Sequence, residues 1–140
     1  MKEQDFHKIG LLVLNASGDK FLVCEKDKKD VTSDYLMPGG QLEELSDLAC
    51  LRREIREELN CAVNFDTLRY LGLYQDVAAG FTDRFVRIKL YSGELIGQPV
   101  ASSEIKHLHW IGRSDVENQR VSPIIRKKII PDLINRDILK

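Results

Sequence analysis

Long apolar runs are missing from this 140-residue chain, and so is any strong excess of charge of one sign. No stretch approaches the ~20 apolar residues of a membrane-spanning helix. The opening residues, Met1-Lys2-Glu3-Gln4-Asp5, lack the apolar centre of a secretion signal. With 21 basic and 22 acidic residues, the formal net charge is −1. Nothing global therefore draws the chain to nucleic acid or to an anionic membrane. Cysteine is sparse and odd in number: Cys24, Cys50 and Cys61 have no CxxC spacing. That argues against a disulfide framework and for free thiols in a reducing compartment. The expectation is a cytoplasmic protein with neither a membrane nor a stable nucleic-acid partner. Internal repeats, low-complexity tracts and linkers are also missing. With 43% hydrophobic and 31% charged residues, positions 1–140 read as one domain with its own core. The oligomeric state stays open, a homodimer included.

What is present reads as strands, one helix, strands and a last helix. Phe6 to Ala16 reads as a buried strand, Ser17-Gly18-Asp19 as a turn, and Lys20 to Glu25 as the returning arm of a hairpin. Lys26 to Asp34 reads as a charged loop, and Tyr35-Leu36-Met37 as a short strand stopped by Pro38. Ser46 is an N-cap for a helix running to Leu59. Thr67–Ala79, Thr82–Leu90 and Glu104–Ile111 read as further strands, with Gly80-Phe81 near the turn between the first two. Pro123 suits the first turn of a terminal helix, which Pro131 should kink or restart. No βαβ alternation is present, so the fold class is α+β.

The most specific segment is Pro38-Gly39-Gly40 followed by Arg53-Glu54-Ile55-Arg56-Glu57-Glu58-Leu59. At about 100° per residue, Glu54, Glu57 and Glu58 share one wedge of the helix, and Leu48, Leu51, Ile55 and Leu59 form an apolar stripe expected on the other side, so that the helix packs on one face and presents carboxylates on the other. The acids are locally unfavourable: Glu54 and Glu58 are like charges at i,i+4, and all three lie where the helix dipole favours cations. Each effect costs roughly 0.3–1 kcal/mol. A bound divalent cation would reverse that sign, since carboxylate oxygens are the ligands magnesium prefers. A solvated helix with Arg53 paired to Glu57 is the alternative. Asn60 follows as a residue that tolerates a left-handed helix end.

From Gly39 to Cys61 the chain resembles the signature of the Nudix hydrolases, the MutT-like family. Arg53, Glu54, Ile55, Glu57 and Glu58 match its second half directly. The first half departs from it: the interval from Gly40 to Arg53 is one residue short, Leu45 or Ser46 stands in place of the early glutamate, and only Glu43 or Glu44 could replace it through a gap. Asn60 stands where the family has glycine.

The resemblance implies an α/β/α sandwich with a mixed, largely antiparallel sheet. It also implies a Mg2+-dependent (or Mn2+-dependent) hydrolase that cleaves a pyrophosphate bond in a nucleoside diphosphate linked to another moiety. The Gly39 carbonyl with Glu54, Glu57 and Glu58 would form the metal shell, with Glu104 as an additional carboxylate. Arg53 would orient a glutamate, and Glu54 is the first choice of general base. An ordinary or oxidised purine nucleoside triphosphate is the preferred substrate. Two other readings are a catalytically weak nucleotide-binding sensor, suggested by the shortened loop, and a diphosphate isomerase, which would need a further cysteine and acid.

Outside the signature, Arg84 and Phe81 could offer a phosphate contact and a stacking surface at a hairpin tip, with Tyr35 and Tyr74 as further stacking candidates. His107 and His109 alternate on one strand face with zinc-like spacing but no third ligand. Cys50 lies one turn before Glu54 and is read as packing, because thiolate suits magnesium poorly. Arg126-Lys127-Lys128 reads as a solvated basic run.

Overall fold

The computed structural model describes residues 6–26, 35–43, 46–77 and 85–140. From Ile9 to Val13 and from Phe21 to Cys24 the chain is apolar without polar alternation, because both faces of β1 (Phe6–Leu12) and β2 (Lys20–Lys26) are covered. Ile9, Leu11, Val13, Leu22 and Cys24 belong to one buried cluster. Leu12, Phe21 and Val23 belong to another. Two-sided burial is what an uninterrupted apolar strand signifies.

The remaining elements are β3 (Tyr35–Leu36), β4 (Gly39–Gln41), α1 (Asp47–Leu59), β5 (Ala62–Val77), β6 (Phe85–Ile96), β7 (Ile105–Gly112) and α2 (Ile130–Asn135). They form two sheets, of order β4-β1-β6-β5 and β3-β2-β7. The pairing of β1 with β6 is parallel and the others are antiparallel, so the fold is mixed α+β with two sheets and few helices. The α1 helix packs over the first cluster, and α2 with the turns before it over the second, which gives the α/β/α layering.

Several sequence expectations are corrected. The hairpin between β1 and β2 shrinks to a Leu14–Phe21 bridge, after which the strands part into separate sheets. The turn itself is built by Asn15, whose Oδ1 accepts hydrogen bonds from the backbone N–H groups of Asp19 and Lys20, 3.1 Å each. Strand β4 was not expected at all: its two glycines hide any strand pattern. Strands β5 and β6 extend beyond the expected ranges into polar stretches, with register shifts at Asn64/Arg69 and Tyr70/Gly72.

Ser46 caps α1 as expected, its hydroxyl accepting from the Ala49 N–H at 3.3 Å. Asn60 ends it with φ 52° and ψ 38°, the left-handed conformation. Leu51, Ile55 and Leu59 are fully buried, but Leu48 stays 46% exposed. The first turn meets the sheet through Asp47 instead, which accepts from the Tyr91 hydroxyl at 2.6 Å. Near the C-terminus the chain runs through a π-helical turn, Ile125–Ile129, and restarts as α2 with Pro131 in its first turn. Proline has no N–H to continue the ladder, and the Ile130 N–H reaches back five residues to the Ile125 carbonyl.

Candidate active site

The glutamates of α1 do not lie opposite the apolar stripe. At about 100° per residue, Glu58 falls only about 20° from Leu51, Glu54 about 60° and Glu57 about 120°. Burial follows that order: Glu58 is 2% exposed, Glu54 is 9% and Glu57 is open to solvent. The sandwich therefore draws two of the three carboxylates inside, against β4.

Glycine makes the close approach possible. The Gly39 N–H donates to Glu58 Oε1 at 2.8 Å. A Cβ at Gly40 would meet the Glu54 carboxyl group at 2.4 Å, and one at Gly39 would meet the Ile9 carbonyl oxygen at 2.0 Å, with φ at +137°. The helix and strand are thus joined by carboxylates seated on bare backbone.

Each carboxylate is also met by a cation of the chain. Arg53 lies 2.9 Å from Glu54, 3.3 Å from Glu57 and 3.9 Å from Glu43. The expected Arg53–Glu57 pair is present, and Glu43 is the acid that approaches from the shortened loop. Glu44 and Leu45 lie outside the described residues, as do Phe81 and Arg84 with their hairpin tip. Glu58 Oε2 faces Lys26 Nζ at 2.7 Å, and Lys26 also lies 3.6 Å from the exposed Glu104. The Lys26–Glu58 contact is an ion pair between two side chains that are both almost fully buried.

Lys26 is the residue that sequence reasoning missed. It reads as the start of a charged loop, yet it closes β2 and is only 7% exposed. One signal could have found it: Leu22, Cys24 and Lys26 alternate along the face that α1 covers. The β2–β7 register also shifts between Glu25 and Lys26, an irregularity of the kind that re-aims side chains near functional sites.

Burial raises the pKa of Glu58 above the ordinary carboxylate value, with the Lys26 charge and the Gly39 N–H pulling the other way. Burial, then Glu58, raises Glu54 against the opposing charge of Arg53. For Lys26, burial works against the ammonium, but Glu58 and Glu104 outweigh it and the pKa rises.

Glu25 is a third buried carboxylate, and one that the sequence did not single out. It meets His109 Nε2 at 2.7 Å and Arg120 at 3.4 Å. The Tyr35 ring stacks on His109 with centroids 4.3 Å apart, and the Arg120 guanidinium lies 4.6 Å from the Tyr35 centroid. Tyr35 is thus buried in the cluster on the α2 side, near Glu25, with its ring already in contact with these two groups. Tyr74 is held elsewhere, against Asp132 of α2. Cys24, Cys50 and Cys61 are free and buried, and burial pushes the thiols of Cys24 and Cys61 up.

Among the described residues no three His, Cys, Asp or Glu side chains already form a cage for a metal ion. The donors nevertheless fit a divalent cation in kind. Glu54, Glu57, Glu58 and Glu104 offer hard carboxylate oxygens, and the buried ones, Glu54 and Glu58, already each face a cation. Also among the described residues, no helix is long and apolar enough to cross a membrane.

A family model described as NUDIX domain matches residues 7–133. In fold the chain is similar to the MutT protein from Methanosarcina mazei Go1, with TM-score 0.71, 16% identity and 100% of both chains covered. It is similar to the E. coli ORF135 protein, with TM-score 0.69, 19% identity, 93% of this chain and 89% of that one. It is also similar to a NUDIX hydrolase from Nitrosomonas europaea, with TM-score 0.67, 15% identity, 94% of this chain and 87% of that one. No curated protein matches the chain.

Proposed function

Because the chain belongs to the NUDIX family, we propose that it is a divalent-cation-dependent enzyme that splits the pyrophosphate bond of a purine nucleoside triphosphate, ordinary or oxidised. Family membership makes it a Nudix-type pyrophosphohydrolase of nucleoside diphosphate derivatives. The purine, the choice of Mg2+ or Mn2+, the residue roles and a cytoplasmic setting are the proposal. The observation that carries it is the seating of Glu54 and Glu58 on the bare backbone of Gly40 and Gly39. A solvated charged helix would leave these carboxylates in water.

A polyphosphate is dense in negative charge, so its hydrolysis needs cations aimed at the leaving oxygens more than it needs a nucleophilic side chain. Glu54, Glu57 and Glu58, with Glu104 and the Gly39 carbonyl, would hold the metal, which when bound neutralises developing charge and makes water more acidic. Arg53 fixes the carboxylates of Glu54 and Glu57 from one side. Glu54, whose pKa burial has raised, takes the proton of the attacking water on its carboxylate. The Glu58–Gly39 hydrogen bond keeps the helix at a set distance from β4 while charge shifts.

A panel of nucleotides, each with and without Mg2+ or Mn2+ and scored by product identity, tests the proposal. Metal-dependent release of a nucleoside monophosphate is expected, together with a rise in melting temperature on adding metal. No product with any nucleotide, in either metal, would overturn it. The sensor alternative draws on the pairing of Glu54 and Glu58 with Arg53 and Lys26. It predicts nucleotide binding without product.

A further inference from the structure

We propose that Lys26 is a built-in counter-ion of the carboxylate site, so that its ammonium and a divalent cation are alternative partners of Glu58. The inference rests on the metal role of Glu58 proposed above. Lys26 Nζ lies between two acids from different elements, 2.7 Å from Glu58 on α1 and 3.6 Å from Glu104, just before β7. Both are carboxylates that the metal proposal assigns to the cation. The Lys26 and Glu58 side chains are almost fully enclosed, at 8% and 3% exposure. A lysine rarely goes inside without a partner, and here it completes an inner face begun by Leu22 and Cys24.

The geometry leaves little room for both cations. An ammonium 2.7 Å from Glu58 Oε2 occupies the direction from which a metal would approach that oxygen. A doubly charged ion at the same carboxylate would repel it in a site screened from water. The four-carbon stem of lysine lets its charge swing away without moving β2. The occupied and emptied arrangements would then differ in where one positive charge points, and Glu58 stays paired in both.

The experiment measures Mn2+ affinity without nucleotide, by the free-Mn2+ resonance signal, for the wild type, Lys26→Met and Lys26→Arg. Methionine keeps the length and apolar stem while removing the competitor, and at least tenfold tighter Mn2+ binding is expected. Arginine keeps the charge and should bind no more tightly than the wild type. A purely structural Lys26 predicts a lower melting temperature for Lys26→Met with unchanged or weaker Mn2+ binding, and that result would overturn the proposal. Binding of Mn2+ to none of the three proteins would overturn the metal role of Glu58 and the Lys26 proposal together. Equal binding by all three would overturn Lys26 alone. A second measurement needs only the wild type. Reductive methylation of Lys26, followed by mass spectrometry, should be slow in the metal-free protein and at least fivefold faster with saturating Mn2+. A rate unmoved by saturating Mn2+ would likewise overturn the proposal.

Discussion

Single residues set the tolerances of this site. Asn60 sits at φ 52° at the end of α1. Asn60→Gly should therefore be neutral or slightly stabilising, whereas Asn60→Val should cost about 1 kcal/mol or more. Urea midpoints for the three proteins check this, and equal midpoints for asparagine and valine would contradict it. The two glycines of β4 should separate function from folding. Gly39→Ala drives a Cβ into the Ile9 backbone at a positive φ, with no side chain free to yield, and should cost about 3 kcal/mol or more. Gly40→Ala meets only the end of the Glu54 side chain, which can move. It should cost about 1 kcal/mol of stability but lower turnover at least tenfold. Parallel turnover and unfolding measurements distinguish the two, and a fully active, stable Gly39→Ala would contradict the account of β4.

At the scale of elements, α1 is a helix with a graded edge. The apolar stripe, the cap and the three acids were legible in its sequence. The depth of each acid was not, because it depends on how the helix is rolled on the sheet. Relief of like-charge repulsion alone would leave folding unharmed on neutralising Glu57 or Glu58, but burial makes the two unequal. Glu57→Gln should change stability by less than about 0.5 kcal/mol, since it alters only an exposed pair with Arg53. Glu58→Gln weakens the buried contact with Lys26 and should cost about 2 kcal/mol. On the proposed mechanism both should lower turnover by orders of magnitude, because the charges they remove would serve the transition state. Activity assays beside melting curves check both halves. Full activity in both variants would show that these carboxylates are structural.

At the scale of the whole molecule, each helical layer is tied to the sheets by a tyrosine. Tyr91 of β6 donates to Asp47 of α1, and Tyr74 of β5 donates to Asp132 of α2. Burial first, and then the neighbouring carboxylate, pushes both hydroxyls up to about 12. The unfolded chain loses these protons near pH ~10. The folded pKa is raised, so the stabilisation is complete below about pH 10 and is lost as pH climbs towards about 12. Absorbance at 295 nm should show the Tyr74 and Tyr91 phenols ionising towards pH about 12, a portion of the titration that Tyr74→Phe and Tyr91→Phe each reduce. The melting temperature should fall across the same interval, less steeply in Tyr74→Phe and Tyr91→Phe. Ionisation of Tyr74 and Tyr91 near pH ~10 would contradict this.

The sequence by itself determined whatever is local. A serine followed by an amphipathic run makes a capped helix, Asn60 ends it, Pro131 interrupts the last one, and the Arg53–Glu58 spacing carries the family and the acids of its site. The apolar run within Phe6–Ala16 already read as a buried strand. What only the tertiary structure decided is non-local. Whether Phe6–Leu12 pairs with its neighbour or with Phe85–Ile96 depends on competition among strands far apart in the chain, and the parallel partner prevailed. Gly39-Gly40 became a strand because backbone hydrogen bonding needs no side chains. Lys26 became a buried partner of Glu58 because the sheet register, the roll of α1 and a shift at Glu25/Lys26 meet there. Burial and charge at a point depend on everything packed around it, which a linear string of residues does not specify.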